Sequence, residues 1–208
     1  MKAGEEKAWA GLAALDAADV CRRSPATYNP SDRSYTVIVF GNPVLVASER
    51  REIRGSFDDS ELILGKLGYF SNLSILHYLI GARAVPPSGR LMAPSELNAG
   101  PIYFTGSHTL PLDALAAGYA KDVERFLARG TGLGGEREFH GDAAVRLHPL
   151  PRLPVTIAIW REDDEFPART SLLFDATCEL HVPPDILWSI AMLCVNVMFR
   201  RASPDAAS

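Results

Sequence analysis

Cysteine is scarce in this chain. Only Cys21, Cys178 and Cys194 occur among 208 residues. An odd number at irregular spacing excludes a disulfide framework and an intrachain four-cysteine metal cluster, and it fits a reducing compartment. An excess of basic charge is also missing. The formal net charge of −4 argues against a general nucleic-acid binder, which needs a basic surface to displace counterions. The run "SERREIR", with Arg50, Arg51 and Arg54, is too short to reverse that and reads as a solvated strand end or turn.

Long apolar runs are absent. The richest segment, "ILWSIAMLCVNVMF", has about 14 residues where a bilayer span needs ~20, so it reads as a buried helix and no membrane contact is expected. The start "MKAGEEKAWAGLAALDAADV" carries Glu5, Glu6, Asp16 and Asp19 and lacks the continuous apolar core of a secretory signal. A cytoplasmic, soluble protein is the expectation. Common hydrolase signatures are missing too: there is no Gly-x-Ser-x-Gly elbow and no His-Glu-x-x-His helix.

What is present describes a folded domain. A hydrophobic content of 47% with 22% charged residues excludes wholesale disorder. "GEEKAWAGLAALDAADVCRR" spaces Trp9, Leu12, Leu15 and Val20 at helical intervals, with acids early and arginines late as the helix dipole favours. The β-branched runs "SYTVIVF" and "PVLVAS", separated by Gly41 and Asn42, predict a hairpin. "DDSELILGKLGYFSNLSILHYLIGA" reads as a helix broken near Gly68 to Asn72 and stopped at Gly81. A Pro-, Gly- and Ser-rich connection follows (86–108), of the long irregular kind that is often functional.

"LDALAAGYAKDVERFLARG" predicts a further amphipathic helix with Gly130 as its C-cap. "EFHGDAAVRLHPL", "LPVTIAIW" and "ARTSLLFD" read as successive strands. "PPDILWSIAMLCVNVMFRR" closes the domain as a helix with proline in its first turn. Strands come in adjacent groups, so the expected class is α+β, a single domain with a mostly antiparallel sheet packed by several helices. The expected divisions are an N-terminal helix at 1–24, the domain at 25–200 and a disordered tail at 201–208.

Several motifs invite a chemical reading. "GTGLGGE" (130–136) superficially resembles a phosphate-cradling loop, but that mechanism needs the glycines between a strand and a helix start. Here they follow a helix and precede a strand, so a flexible turn is expected. If "EREFHGDAA" is extended, Glu136, Glu138, His140 and Asp142 project to one face. Imidazole with carboxylates is metal-binding chemistry, His148 lies further along, and a solvent-facing strand gives the same pattern. Cys178 and His181 ("CELH") offer half a metal site that no second motif completes, and nucleophilic catalysis by Cys178 finds no partner by spacing. No metal ligand set is assigned.

The segment "WREDDEFPARTSLLFD" (160–175) is the most distinctive. Val155, Ile157 and Ile159 alternate with Thr156, Ala158 and Trp160, almost all apolar, which predicts a central strand covered on both faces. Its end delivers Trp160 and then Glu162, Asp163, Asp164 and Glu165. Four adjacent carboxylates repel one another unless water, a cation or a basic partner compensates. A solvated turn and a cation, cofactor or partner contact both stay open, the turn being preferred. Pro167 fixes the exit, Phe166 is expected to anchor the loop, and Asp175 ends the next run in position to cap a short helical turn.

These residues carry a likeness. "LGG", "GDAAVRLHPLPRLPVTIAIWREDDEFPARTSLLFD", "LHVPPDILW", "ILHYLIGA" and "PPSGRLMAPSELNAGPIYF" resemble a prokaryotic family known as domain of unknown function 3786. The likeness runs from roughly Tyr28 to Phe199. Its most specific positions are Pro151, Arg152, Pro154, Trp160, Asp164, Glu165, Phe166, Pro167, Leu173, Phe174 and Asp175. The resemblance implies a single domain from a family common in anaerobes and supplies no reaction. Some members carry a cysteine-rich extension read as an iron–sulfur segment, whereas this chain has only Cys21 near its start.

Three functions compete. A small-molecule or cofactor-binding module, preferred, would use Arg152 against an anionic group, Trp160 and Phe166 as walls, and Asp163, Asp164, Glu165 and Asp175 around them, where segments 149–154, 160–166 and 86–108 meet. An enzyme would use Asp164 or Glu165 as general acid or base with His140. An interaction protein would present the acidic turn to a basic partner. No cofactor and no oligomeric state are assigned.

Overall fold

The computed structural model describes residues 3–98 and 100–199; the expected tail at 201–208 lies outside them. Two antiparallel sheets organise the chain. Strands β1 (Thr27–Asn29), β2 (Ser34–Val39), β3 (Asn42–Ala47) and β4 (Glu52–Arg54) form the first, in the order β1-β2-β3-β4. Strands β5 (Leu91–Met92), β6 (Glu136–Glu138), β7 (Ala143–Leu150), β8 (Leu153–Trp160) and β9 (Arg169–Asp175) form the second, in the order β5-β9-β8-β7-β6. The class is α+β, as the grouping of strands implied.

The N-terminal periodicity folds as two helices, α1 (Ala3–Ala13) and α2 (Ala17–Arg23). The break is local chemistry: the Asp16 carboxylate accepts from the Asp19 amide and restarts the helix. Trp9, Leu12 and Val20 join the main core. The β2–β3 hairpin turns at Phe40-Gly41, one residue before the Gly41-Asn42 step. Phe40 (φ 46°) and Gly41 (φ 75°) both adopt left-handed backbone, the requirement of a type I′ turn. Phe40 is 1% exposed and its amide donates to the His148 carbonyl at 3.0 Å. Docking of the hairpin tip onto β7 holds the unusual conformation.

The "ELILGK" stretch is a π-helical turn (Glu61–Lys66) leading through Leu67 into α3 (Gly68–Gly81), so the expected break falls slightly earlier than Gly68. The 86–108 connection holds β5, two short 3-10 turns and α4 (Gly100–Tyr103). The single helix expected over "LDALAAGYAKDVERFLARG" is two, α5 (Leu112–Tyr119) and α6 (Val123–Gly132), with the Asp122 carboxylate accepting from the Arg125 amide at the second start. Gly130 is therefore not the C-cap. It lies within α6 over β7, where an added Cβ would sit 2.6 Å from Val145 Cγ1. Glycine here permits close helix–sheet packing, and Gly134 (φ 75°) supplies the left-handed residue beyond the helix.

Helix α7 (Pro184–Met198) begins with proline at its first turn. It packs on β7 and α3, and α3 packs on α1. One contiguous apolar core runs from Ala8 to Met198 through both sheets. Strand β8 is the middle strand of its sheet, and seven of its eight residues are buried, as expected of a strand covered on both faces. No helix among the described residues is long and apolar enough to cross a membrane.

Candidate functional site

The β7–β8–β9 meander sorts the candidate residues to opposite ends of the sheet. Strand β8 spans Leu153 to Trp160, roughly 24 Å at ~3.4 Å per residue. Trp160 and the 161–168 loop lie at one end. Arg152, in the two-residue turn joining Leu150 to Leu153, and Asp175, at the end of β9, lie at the other. A pocket shared by Arg152 and the acidic loop is excluded by this antiparallel geometry.

At the first end, residues 161–167 are all exposed. The loop is nevertheless ordered by its backbone. Asp163 Oδ1 accepts from the amides of Glu165 (2.9 Å) and Phe166 (2.8 Å), the Asp163 amide donates to the Phe166 carbonyl, and Asp142 Oδ2 accepts from the Arg161 amide. Those two amides hold the Asp163 carboxyl below its ordinary value. Phe166 does not anchor the loop, being 58% exposed. Trp160 is covered by the Arg169 guanidinium, 5.0 Å from its ring centre, and by Gly141. Neither Trp160 nor Phe166 lines the cavities beside Asp58, Pro94, His181 or Ile53.

The adjoining "EREFHGDAA" segment is extended only through β6, and Gly141 (φ 59°) turns the chain before β7. Glu136 approaches both Arg146 and His148, and Glu138 pairs with Arg146. Its carboxylates are thus engaged across the strand pair. Among the described residues no three His, Cys, Asp or Glu side chains come together as metal ligands.

The second end is built differently. Asp175 is 2% exposed. Its carboxylate accepts from Ser88 N (3.0 Å), Ser88 Oγ (3.1 Å), Gly89 N (2.7 Å), Thr177 N (2.9 Å) and Thr177 Oγ1 (2.7 Å). Burial pushes this carboxyl up, and the donors on Ser88, Thr177 and Gly89 outweigh it, so the net displacement is downward. With its acceptor capacity taken up by the chain itself, Asp175 is a clamp that ties residues 88 and 89 to the turn after β9. It does not cap the short helical turn that follows: the N-cap there is Thr177, without a side-chain cap bond, and Asp175 only holds Thr177 itself.

That clamp positions His181, which is 1% exposed. The Arg83 amide donates to its Nδ1 at 3.3 Å, which leaves the proton of the neutral ring on Nε2. Burial, with Arg152 and Arg83 nearby and Asp175 opposing, lowers the His181 pKa to about 4. Tyr78, on α3, lies beside it with ring centres 6.4 Å apart. Burial raises the Tyr78 phenol, while the guanidinium and amide of Arg152 pull the other way. Arg152 Nε and His181 Nε2 are buried with no hydrogen-bond partner, and buried Tyr78 Oη, which the Arg152 amide faces, has no acceptor for its own proton.

Beside His181 lies a groove of about 420 Å³ lined by Gly81, Arg83, Asn98, Glu179, Leu180 and the 181–184 segment. Glu179 accepts from the Asn98 amide and side chain, joining the 86–108 connection to the turn after β9. A smaller, largely apolar groove of about 250 Å³ lies between Pro94 and Leu112. Two further hollows flank the π-helical turn, at Asp58–Ile63 and at Ile53–Gly65.

Tyr78 escaped sequence reasoning because it sits in an apolar helical run and nothing local marks its hydroxyl. His181 was visible only as the second half of "CELH"; the thiol of that pair is buried, with its pKa raised to about 12 by desolvation. Cys194 is also buried.

The fold and this paired arrangement define an α+β protein with two antiparallel sheets and a polar cluster at one end of the larger. The chain belongs to the family described as Domain of unknown function (DUF3786), which it matches over residues 16–197. No curated protein and no solved structure matches it.

Proposed function

We propose that this protein is a small-molecule-binding module whose site lies at the Arg152–Asp175–His181 end of the five-stranded sheet. The observation that supports this most directly is the groove beside His181, whose wall holds a buried imidazole with an unpartnered Nε2. Its size falls within the range of small-ligand sites, and it carries a few converging polar groups from three chain segments. Arg152 does not line this groove; it enters the proposal through its place near His181 and Tyr78, and the acidic loop has no part in it.

The enzyme reading placed catalysis on Asp164 or Glu165. Those groups are exposed and line none of the four cavities. The interaction reading, with the acidic turn presented to a basic partner, draws on the exposure of residues 161–167.

The test is a metabolite-library screen by thermal shift, followed by NMR titration of each hit. The expected hit raises the melting temperature and perturbs the His181 ring resonances, and Leu180→Trp, which adds an indole to the groove lining, abolishes both effects. Hits that perturb only the 139–142 and 161–168 loops, or no hits at all, refute the assignment.

A further inference from the structure

Three polar atoms at one end of the sheet share the same deficiency. Arg152 Nε can only donate. His181 Nε2 can only donate, because its Nδ1 already accepts from the Arg83 amide. The Tyr78 hydroxyl donates one proton. All three are buried and none has an acceptor. A buried donor left unpaired costs about 1–3 kcal/mol, so three in one cluster call for an acceptor supplied from outside the chain.

Charge points the same way. Arg152 and Arg83 both act on the His181 ring, and among the described residues neither guanidinium lies within ion-pairing distance of a carboxylate. Asp175 is the carboxylate that acts on the ring, and its oxygens are filled by Ser88, Gly89 and Thr177. The cluster is therefore rich in donors and positive charge and poor in available acceptors.

We propose that Tyr78, Arg152 and His181 form an oxyanion site that takes the carboxylate or phosphate group of the small molecule, while the groove lined by Arg83, Asn98 and Glu179 holds the remainder. This rests on the binding reading above and names its ligand class. A carboxylate or phosphate offers several lone pairs, enough for three donors at once, and charge-assisted hydrogen bonds are roughly twice as strong as neutral ones. A single buried water is the competing occupant, since it too can accept from two of the donors.

Sodium phosphate and sodium acetate, each at millimolar concentration and matched to sodium chloride for ionic strength, distinguish the cases. The readout is the side-chain ¹⁵N spectrum of His181 with the melting temperature of the full chain. The expected result is a saturable shift of the His181 Nε2–H resonance with one or both anions and none with chloride; which anion responds separates phosphate from carboxylate. Arg152→Gln should weaken that anion's binding roughly tenfold or more, the scale of a lost charged hydrogen bond, and Tyr78→Phe by less. Circular dichroism checks that both variants fold, and the wild-type titration decides the matter if either does not.

No response to either anion, with a water contact at Nε2–H, assigns the cluster to a structural water and overturns the proposal. Undiminished binding in folded Arg152→Gln overturns it as well. A neutral library hit that shifts His181 where both anions fail removes the anion class and leaves the binding reading intact. If no compound of either kind moves His181, both fall.

Discussion

Replacement of Asp175 offers the sharpest test of how this end of the molecule is built. Its two carboxylate oxygens accept from three amides and two hydroxyls at 2.7–3.1 Å. In Asp175→Ala all five donors lose their acceptor. Ser88 and Gly89 are exposed and their amides regain water when the loop opens, so the loss falls below five full charged bonds. Taking the lower figure of ~1.5 kcal/mol per charged hydrogen bond, because five donors share one carboxylate, with about half recovered by solvent, the expected destabilisation is about 3–4 kcal/mol. For a domain of this size that lowers the melting temperature by roughly 6–16 °C. Asp175→Asn keeps one acceptor oxygen and turns an amide N–H toward Gly89, so it should fall between wild type and Asp175→Ala.

The pH dependence follows from the sign of the shift. The folded carboxyl lies below the ordinary value of 3.8, so the unfolded chain binds its proton first as pH falls. Asp175 therefore contributes stability that is fully present above about pH 5, and this is lost as the pH drops through 3.8 toward the folded value. Urea denaturation at neutral pH and near pH 3.5 should show the gap between wild type and Asp175→Ala narrowing in acid. Hydrogen exchange should show residues 88 and 89 losing protection in the variant first. An Asp175→Ala protein with an unchanged urea midpoint at neutral pH refutes the clamp.

Three further outcomes are expected. Gly130→Ala should destabilise by about 1–3 kcal/mol through overpacking, since its Cβ would stand 2.6 Å from Val145 Cγ1; chemical denaturation measures this, and Val145→Ala in the same chain should recover part of it. Asp164→Asn with Glu165→Gln should leave the denaturation midpoint and any ligand affinity at the His181 groove unchanged, because both residues are exposed at the far end of β8; a loss of affinity would return the acidic loop to the site. Cys178 and Cys194 should resist a thiol reagent in the native protein while half-buried Cys21 reacts, and rapid labelling of all three thiols would contradict the packing around α7.

The hydrophobic period was enough to read most strands, because alternation and β-branched composition act over a few neighbouring residues. β7, β8 and β9, the central position of β8, and α7 with proline at its start were all legible in this way. Helix interruptions were less so. Asp16 and Asp122 each restart a helix with one side-chain hydrogen bond, a signal that a long apolar period masks. Gly130 reads locally as a stop, and only the approach of β7 explains it as a packing contact.

The sequence by itself determined the α+β class and the doubly buried middle strand. Tertiary structure alone decided which of the candidates are neighbours. Residues close along the chain, such as Trp160 and Asp175, end up at opposite ends of a sheet because each antiparallel strand carries the chain its full length away. Residues far apart, such as Tyr78, Arg152 and His181, meet because a helix, a hairpin turn and the turn after β9 finish at the same edge. Local pattern encodes burial and direction; the meeting of distant groups depends on how many residues each strand runs before it turns.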